Sequence, residues 1–198
     1  MTQEASPEQS TAPVSMRTAR SERTHQLVTA ALVTAVMIAT GWISIPFGPV
    51  PITLQVFGVV LAALLLTPGW AAASLGVYLL LGAAGVPVFA NGHAGLGVVL
   101  GPTGGYLTGF VLGAGLGSLV RRALRRLGNP PIVADVAAAI TVIAAIYAVG
   151  WVQLALVLHM GALQSFAVGV APFLLPDAIK AAVAIVIATA VRRATGSA

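Results

Sequence analysis

Six apolar stretches, each close to the length a helix needs to cross a bilayer, divide this 198-residue chain at 27–45, 51–67, 69–85, 103–120, 132–158 and 172–191. A span takes about 20 mainly apolar residues, with a range of roughly 17–25. The second and third stretches meet at Thr67, Pro68 and Gly69, which reads as the turn of a tight helical hairpin. Composition leaves no soluble alternative. The chain is 58% hydrophobic and 8% charged, where a soluble domain carries about 25% charged residues, and a chain this short still exposes much of its surface when folded. The expected fold is all-α: a polytopic membrane protein with six transmembrane helices. The absence of cysteine excludes disulfides, thiol nucleophiles, iron–sulfur clusters and Cys-rich zinc sites.

The net charge of +5 raises the question of a nucleic-acid partner, and the placement of the charges answers it. Nine of the ten basic residues fall in three groups: Arg17, Arg20 and Arg23; Arg121, Arg122, Arg125 and Arg126; Arg192 and Arg193. All three groups flank apolar stretches, the pattern of cytoplasmic ends. Six spans put both termini on one side, and all three groups then share it. The basic balance reports topology, with N- and C-termini cytoplasmic and no nucleic acid. Residues 1–25 read as a disordered cytoplasmic tail rather than a signal peptide, 26–193 as the membrane domain, and 194–198 as a second short tail. Segments 46–50, 86–101 and about 161–170 face outward. The 86–101 segment is long and glycine-rich, with Asn91 and His93 its only strongly polar side chains. It reads either as a lid over a site or as a flexible connection.

Two faces are built from small residues at spacing four: Ala31, Ala35 and Ala39 in the first stretch, and Gly105, Gly109, Gly113 and Gly117 in the fourth. Small residues let helices approach closely in lipid. The glycine face reads as packing within the chain, whereas the alanine face suits internal packing or a partner protein equally. The glycine-rich "GPTGGY" and "GAGLGS" lack the Lys-Ser/Thr ending of a phosphate loop, so ATP binding is not expected.

Only three charges lie inside the stretches. Asp135 follows Pro130 and Pro131 and reads as a carboxylate at a helix N-terminus. Asp177 and Lys180, in "PDAIKAAVAIV", are harder to place. From Asp177 to Val191 is 15 residues, about 22 Å of helix against a core of about 30 Å. With Arg192 at the inner edge, both charges sit below the outer edge, where each costs about 2.5–3.5 kcal/mol if lipid-facing. Spacing i, i+3 places them on one helix face, either as a mutually neutralising pair or as the polar centre of a cavity. Gln55, Thr53, Asn91, Thr103 and Tyr106 are candidates for the same cavity, with Tyr147 and Trp151 as an aromatic wall. The three histidines have no metal-ligand spacing, and no catalytic motif accompanies Asp177. One acid, one amine and a lid suit binding of a polar or zwitterionic small molecule. Lysine would meet a carboxylate, and aspartate N–H donors.

The stretches "GPVPITLQVFGVVLAALLL", "GVYLLLGAAGVPVFANGHAGLGVVLGPTGGYLTGF" and "PFLLPDAIKAA" resemble the BioY family, the biotin-specific S components of energy-coupling-factor (ECF) transporters. The resemblance covers about 27–191. It implies a biotin-binding subunit in a prokaryotic plasma membrane, with no enzymatic activity and no cofactor beyond the transported biotin. It further implies a transmembrane coupling subunit docked on Ala31, Ala35 and Ala39, and two partner ATPases. By the same likeness Asp177 accepts the ureido N–H groups, Lys180 pairs with the valerate carboxylate, and Asn91 and Tyr106 touch the ligand; Gln55 and Trp151 complete the expected site. Where the family commonly reads Pro-Gly-Asp, this chain has Leu175-Pro176-Asp177. An S component for another vitamin is the alternative within the class; a membrane scaffold or an intramembrane enzyme are the alternatives outside it.

Overall fold

The computed structural model describes residues 14–196. Eight helices, α1 (Val14–Trp42), α2 (Gln55–Leu65), α3 (Pro68–Ala83), α4 (Leu96–Leu100), α5 (Gly104–Arg126), α6 (Pro131–Val157), α7 (Ala162–Gly169) and α8 (Leu174–Ala194), are joined by short connections. Between α1 and α2 lies a minimal antiparallel hairpin, with Ser44 opposite Thr53 and Ile45 opposite Ile52. Helix α1 begins at Val14, inside the stretch expected as a tail; residues 1–13 of that tail lie outside the described residues.

Among the described residues, four stretches are long and apolar enough to cross a membrane: Ser21–Trp42, Gly104–Arg126, Pro131–Val157 and Ala162–Ala194. Helix α2 differs from the expected span at 51–67, because it has only 11 residues, whereas α3, with 16, matches 69–85 to within two residues at each end. The two are about 16 and 24 Å of helix against a core of about 30 Å. The 51–67 stretch loses its start to the hairpin strand Ile52–Thr53. Helix α2 compensates by position. Nine of its eleven residues are buried, so it is a core helix, apolar on all sides, packed against α1, α5, α6 and α8. The lipid-facing surface lies elsewhere, on side chains such as Leu80, Leu156 and Val186, each about 70% exposed.

Local chemistry fixes the turns. Pro68 opens α3, where its missing N–H has no intrahelical partner to lose, and the Gln26 side chain accepts the Thr67 N–H at 2.9 Å, tying the α2–α3 turn to α1. Helix α5 closes on Gly128 in the left-handed conformation (φ +81°), and Pro131 starts α6.

The glycine face is packing within the chain. A Cβ on Gly105 would lie 2.5 Å from the Val149 carbonyl, and one on Gly109 would lie 2.8 Å from the Ile146 Cα, so α5 and α6 touch backbone to backbone. Asp135 is not a helix-terminal carboxylate. It stands on the second turn of α6, almost fully buried, and accepts Arg121 Nε at 2.6 Å from α5 and Arg192 Nη2 from α8. A buried carboxylate in this setting needs paired charge more than it needs the helix dipole.

Candidate functional site

The start of α8 carries the pair that the sequence singled out. Pro176 is the third residue of the helix, within the first turn, where N–H groups have no partner four residues back. The displaced proline therefore begins the helix without breaking it. Asp177 follows on the same turn, and Lys180 Nζ donates to its Oδ1 at 2.7 Å. The second oxygen, Oδ2, accepts the Tyr147 hydroxyl at 2.7 Å. Asp177 is 3% exposed, so its charge is balanced by one ammonium and one phenol. Each oxygen keeps a second acceptor direction.

These groups open on a cavity of about 390 Å³, within the range of about 300–1,000 Å³ usual for small-molecule sites. It is half open and bordered by the connection of the β hairpin, the 86–101 segment, the start of α5 and the first turn of α8, all at one end of the bundle. The aromatic rings of Phe47 and Phe173 meet edge to face at 6.3 Å, joining the hairpin to the turn that leads into α8, and both line the cavity. The 86–101 segment behaves as an ordered cover. Phe89 is buried in a slot left by Gly82, where a Cβ would meet the ring at 2.1 Å. Gly95 N–H reaches the Gly82 carbonyl at 2.7 Å.

Of the residues expected at the site, Asp177, Lys180, Asn91, Tyr106 and Gln55 line this cavity. Their roles separate. Asn91, held in the left-handed region at φ +56°, and His93 line it without a side-chain hydrogen bond to any described residue. Tyr106 presents its ring, since its hydroxyl donates to the Gly169 carbonyl at 2.8 Å. Gln55 is buried and donates through Nε2 to the Tyr78 hydroxyl, which in turn donates to the Val88 carbonyl at 3.1 Å.

Trp151 is not among the lining residues. Its indole N–H points to the Ala162 carbonyl (3.0 Å) and Ser165 Oγ (2.9 Å), and its ring packs on Phe166 at 5.7 Å. One turn beyond Tyr147, α7 already covers α6, and a donor placed there is satisfied by α7. In the sequence Tyr147 reads only as an aromatic wall and His93 as a structural loop histidine. Nothing in their sequence neighbourhood shows that Tyr147 meets a residue 30 positions away. Ala31, Ala35 and Ala39 stand apart from the cavity, all three exposed on α1.

The arrangement gathers polar and aromatic groups at one end of the bundle. It offers a paired acid and amine, unpartnered amide and imidazole groups and aromatic walls; among the described residues no three His, Cys, Asp or Glu side chains gather to hold a metal ion.

A family model described as the BioY family matches residues 9–197. The chain is 40% identical to the biotin transporter BioY of Thermotoga maritima, over 85% of this chain and 96% of that protein. It is also 40% identical to the probable biotin transporter BioY of Pyrococcus horikoshii, over 80% and 90%. Its fold superposes with a TM-score of 0.81 on the crystal structure of the S-component for biotin from an ECF-type ABC transporter, at 28% identity and covering 87% of this chain and 93% of that one.

Proposed function

The chain belongs to the BioY family, and on that premise we propose that it is the biotin-capturing S component of an ECF-type uptake transporter. It has no catalytic step of its own; import is driven by a transmembrane coupling subunit and two partner ATPases in a prokaryotic plasma membrane. The observation that carries the reading is the Asp177–Lys180 pair, set at the head of α8 and facing a half-open cavity of ligand size. The names of the relatives supply the ligand.

The pair's geometry refines how biotin sits. Asp177 and Lys180 touch at 2.7 Å, so their free valences meet one small patch of ligand. A cyclic urea presents an N–H donor beside a carbonyl acceptor in such a patch. Asp177 accepts the N–H and Lys180 donates to the oxygen. The resemblance implies a different division, with Lys180 on the carboxylate, but extended biotin holds its carboxylate and urea at opposite ends, farther apart than one ion pair reaches. Asn91 and His93, on the covering segment, supply donors for the carboxylate, and the Tyr106 ring packs the bicyclic body.

In the membrane the chain crosses six times. The hairpin and α2 together make the second crossing, and α3 makes the third. The arginine-bearing ends of α5 and α8 lie on the side opposite the cavity, which supports a reading with both termini cytoplasmic and the cavity facing outward. The exposed Ala31, Ala35 and Ala39 form the face on which the coupling subunit docks. A thermal-shift panel tests the ligand: biotin raises the unfolding midpoint of the purified chain, while thiamine and riboflavin do not. A larger shift with another vitamin would reassign the substrate.

A further inference from the structure

At the end of the bundle away from the cavity, a second cavity of about 500 Å³ is walled by Arg121, Arg122, Arg125 and Arg126 of α5 and Arg192 and Arg193 of α8, with Pro131 and Thr189 between them. Among the described residues, the only carboxylate bonded to any of these arginines is Asp135, with one oxygen on Arg121 and the other on Arg192. That bonding has a consequence for the remaining guanidinium groups. It fixes two of them as a rigid floor, with Arg192 also donating to Thr189 Oγ1 at 3.1 Å. Arg125 reaches the Asn129 carbonyl at 3.1 Å. Arg122, Arg126 and Arg193 are exposed and make no hydrogen bond or ion pair with any described residue. Six like charges around one cavity repel, so the site favours an anion, and the planar fork of arginine matches phosphate oxygens.

The surroundings identify the anion's carrier. Leu119, one turn before Arg122 on α5, is 55% exposed, and so is Ile132, next to the lining Pro131 on α6. In a chain that spans a membrane these side chains lie against acyl chains. A phosphate in the arginine cavity is thus placed at the rim of the lipid-facing surface, where a tail attached to it has an apolar wall to follow. We propose that this cavity is a binding site for the headgroup of an anionic phospholipid, with charge enough for two phosphates. Basic pockets between membrane helices recognise such headgroups.

The test uses the full chain, delipidated in a neutral detergent at low salt, with its unfolding midpoint followed as lipid is added. Cardiolipin raises the midpoint of the wild type by several degrees, and phosphatidylcholine does not. The combined variant Arg122→Gln, Arg126→Gln, Arg193→Gln alters exposed side chains without partners, so it folds and keeps its affinity for biotin, but it loses most of the cardiolipin shift. An equal shift with inorganic phosphate would make this a free-anion site and overturn the lipid assignment. The same cardiolipin shift in the variant, or none in the wild type, would overturn the site. If the variant also loses co-purification with coupling subunits while cardiolipin has no effect, the patch is a protein-docking surface instead.

Discussion

At the scale of single residues, the site rests on one carboxylate held from two sides. The Asp177–Lys180 pair was legible in the sequence because two charges three apart in an apolar helix need a reason. Tyr147 was not, because the contact that makes it polar machinery joins α6 to α8 and leaves no local pattern. A hydrogen bond to a charged group contributes about 1.5–3 kcal/mol, so Lys180→Ala is expected to weaken biotin about ten- to a hundredfold. Titrating biotin and biotin amide into that variant separates the two possible roles of the lysine. Equal losses support Lys180 on the urea oxygen. A loss confined to biotin would return Lys180 to the carboxylate. Trp151 shows the converse lesson. Its spacing from Tyr147 placed it correctly on one helix face, but α7, which covers that face, decided its partner.

At the scale of elements, small residues do two different jobs that spacing alone does not distinguish. The glycines of α5 lie against α6 backbone, whereas the alanines of α1 are left open. Gly109→Ala pushes a methyl group to 2.8 Å from the Ile146 Cα, and overpacking of this kind costs about 1–3 kcal/mol. Gly76, on α3, has nothing within 4 Å of its Cβ position, and Gly76→Ala gains helix propensity. Thermal unfolding in detergent should show a lowered midpoint for Gly109→Ala and an unchanged or raised one for Gly76→Ala; a tolerated Gly109→Ala would contradict the backbone contact. Helices α5, α6 and α8 were readable as long apolar runs between arginines and prolines. Helix α2 is shorter than its apolar run, because hydropathy records the run 51–67 without recording that its first residues pair as a strand. Asp135 was misread for a related reason: its partners come from two other helices.

At the scale of the whole molecule, polarity is segregated. A half-open cavity with an acid–amine pair occupies one end, an arginine-walled cavity the other, and a largely apolar core helix lies between them. The overall class was legible because composition and basic flanks act on the whole chain, while the cavity was not, since its walls are assembled from segments far apart in sequence. The proposed docking face and the proposed ligand site are different surfaces, so the two roles separate by mutation. Ala35→Trp, on the exposed face of α1, is expected to abolish co-purification with a coupling subunit and leave ligand affinity unchanged. Intact co-purification would remove that face from the docking surface. The central claim is that biotin binds at Asp177, and calorimetric titration of the purified wild type and of Asp177→Asn tests it most directly. The account predicts tight, saturable, one-to-one binding to the wild type, and at least a tenfold loss in the variant, which keeps the shape but loses the charge. No saturable heat from the wild type, or equal affinity in the two, would contradict it.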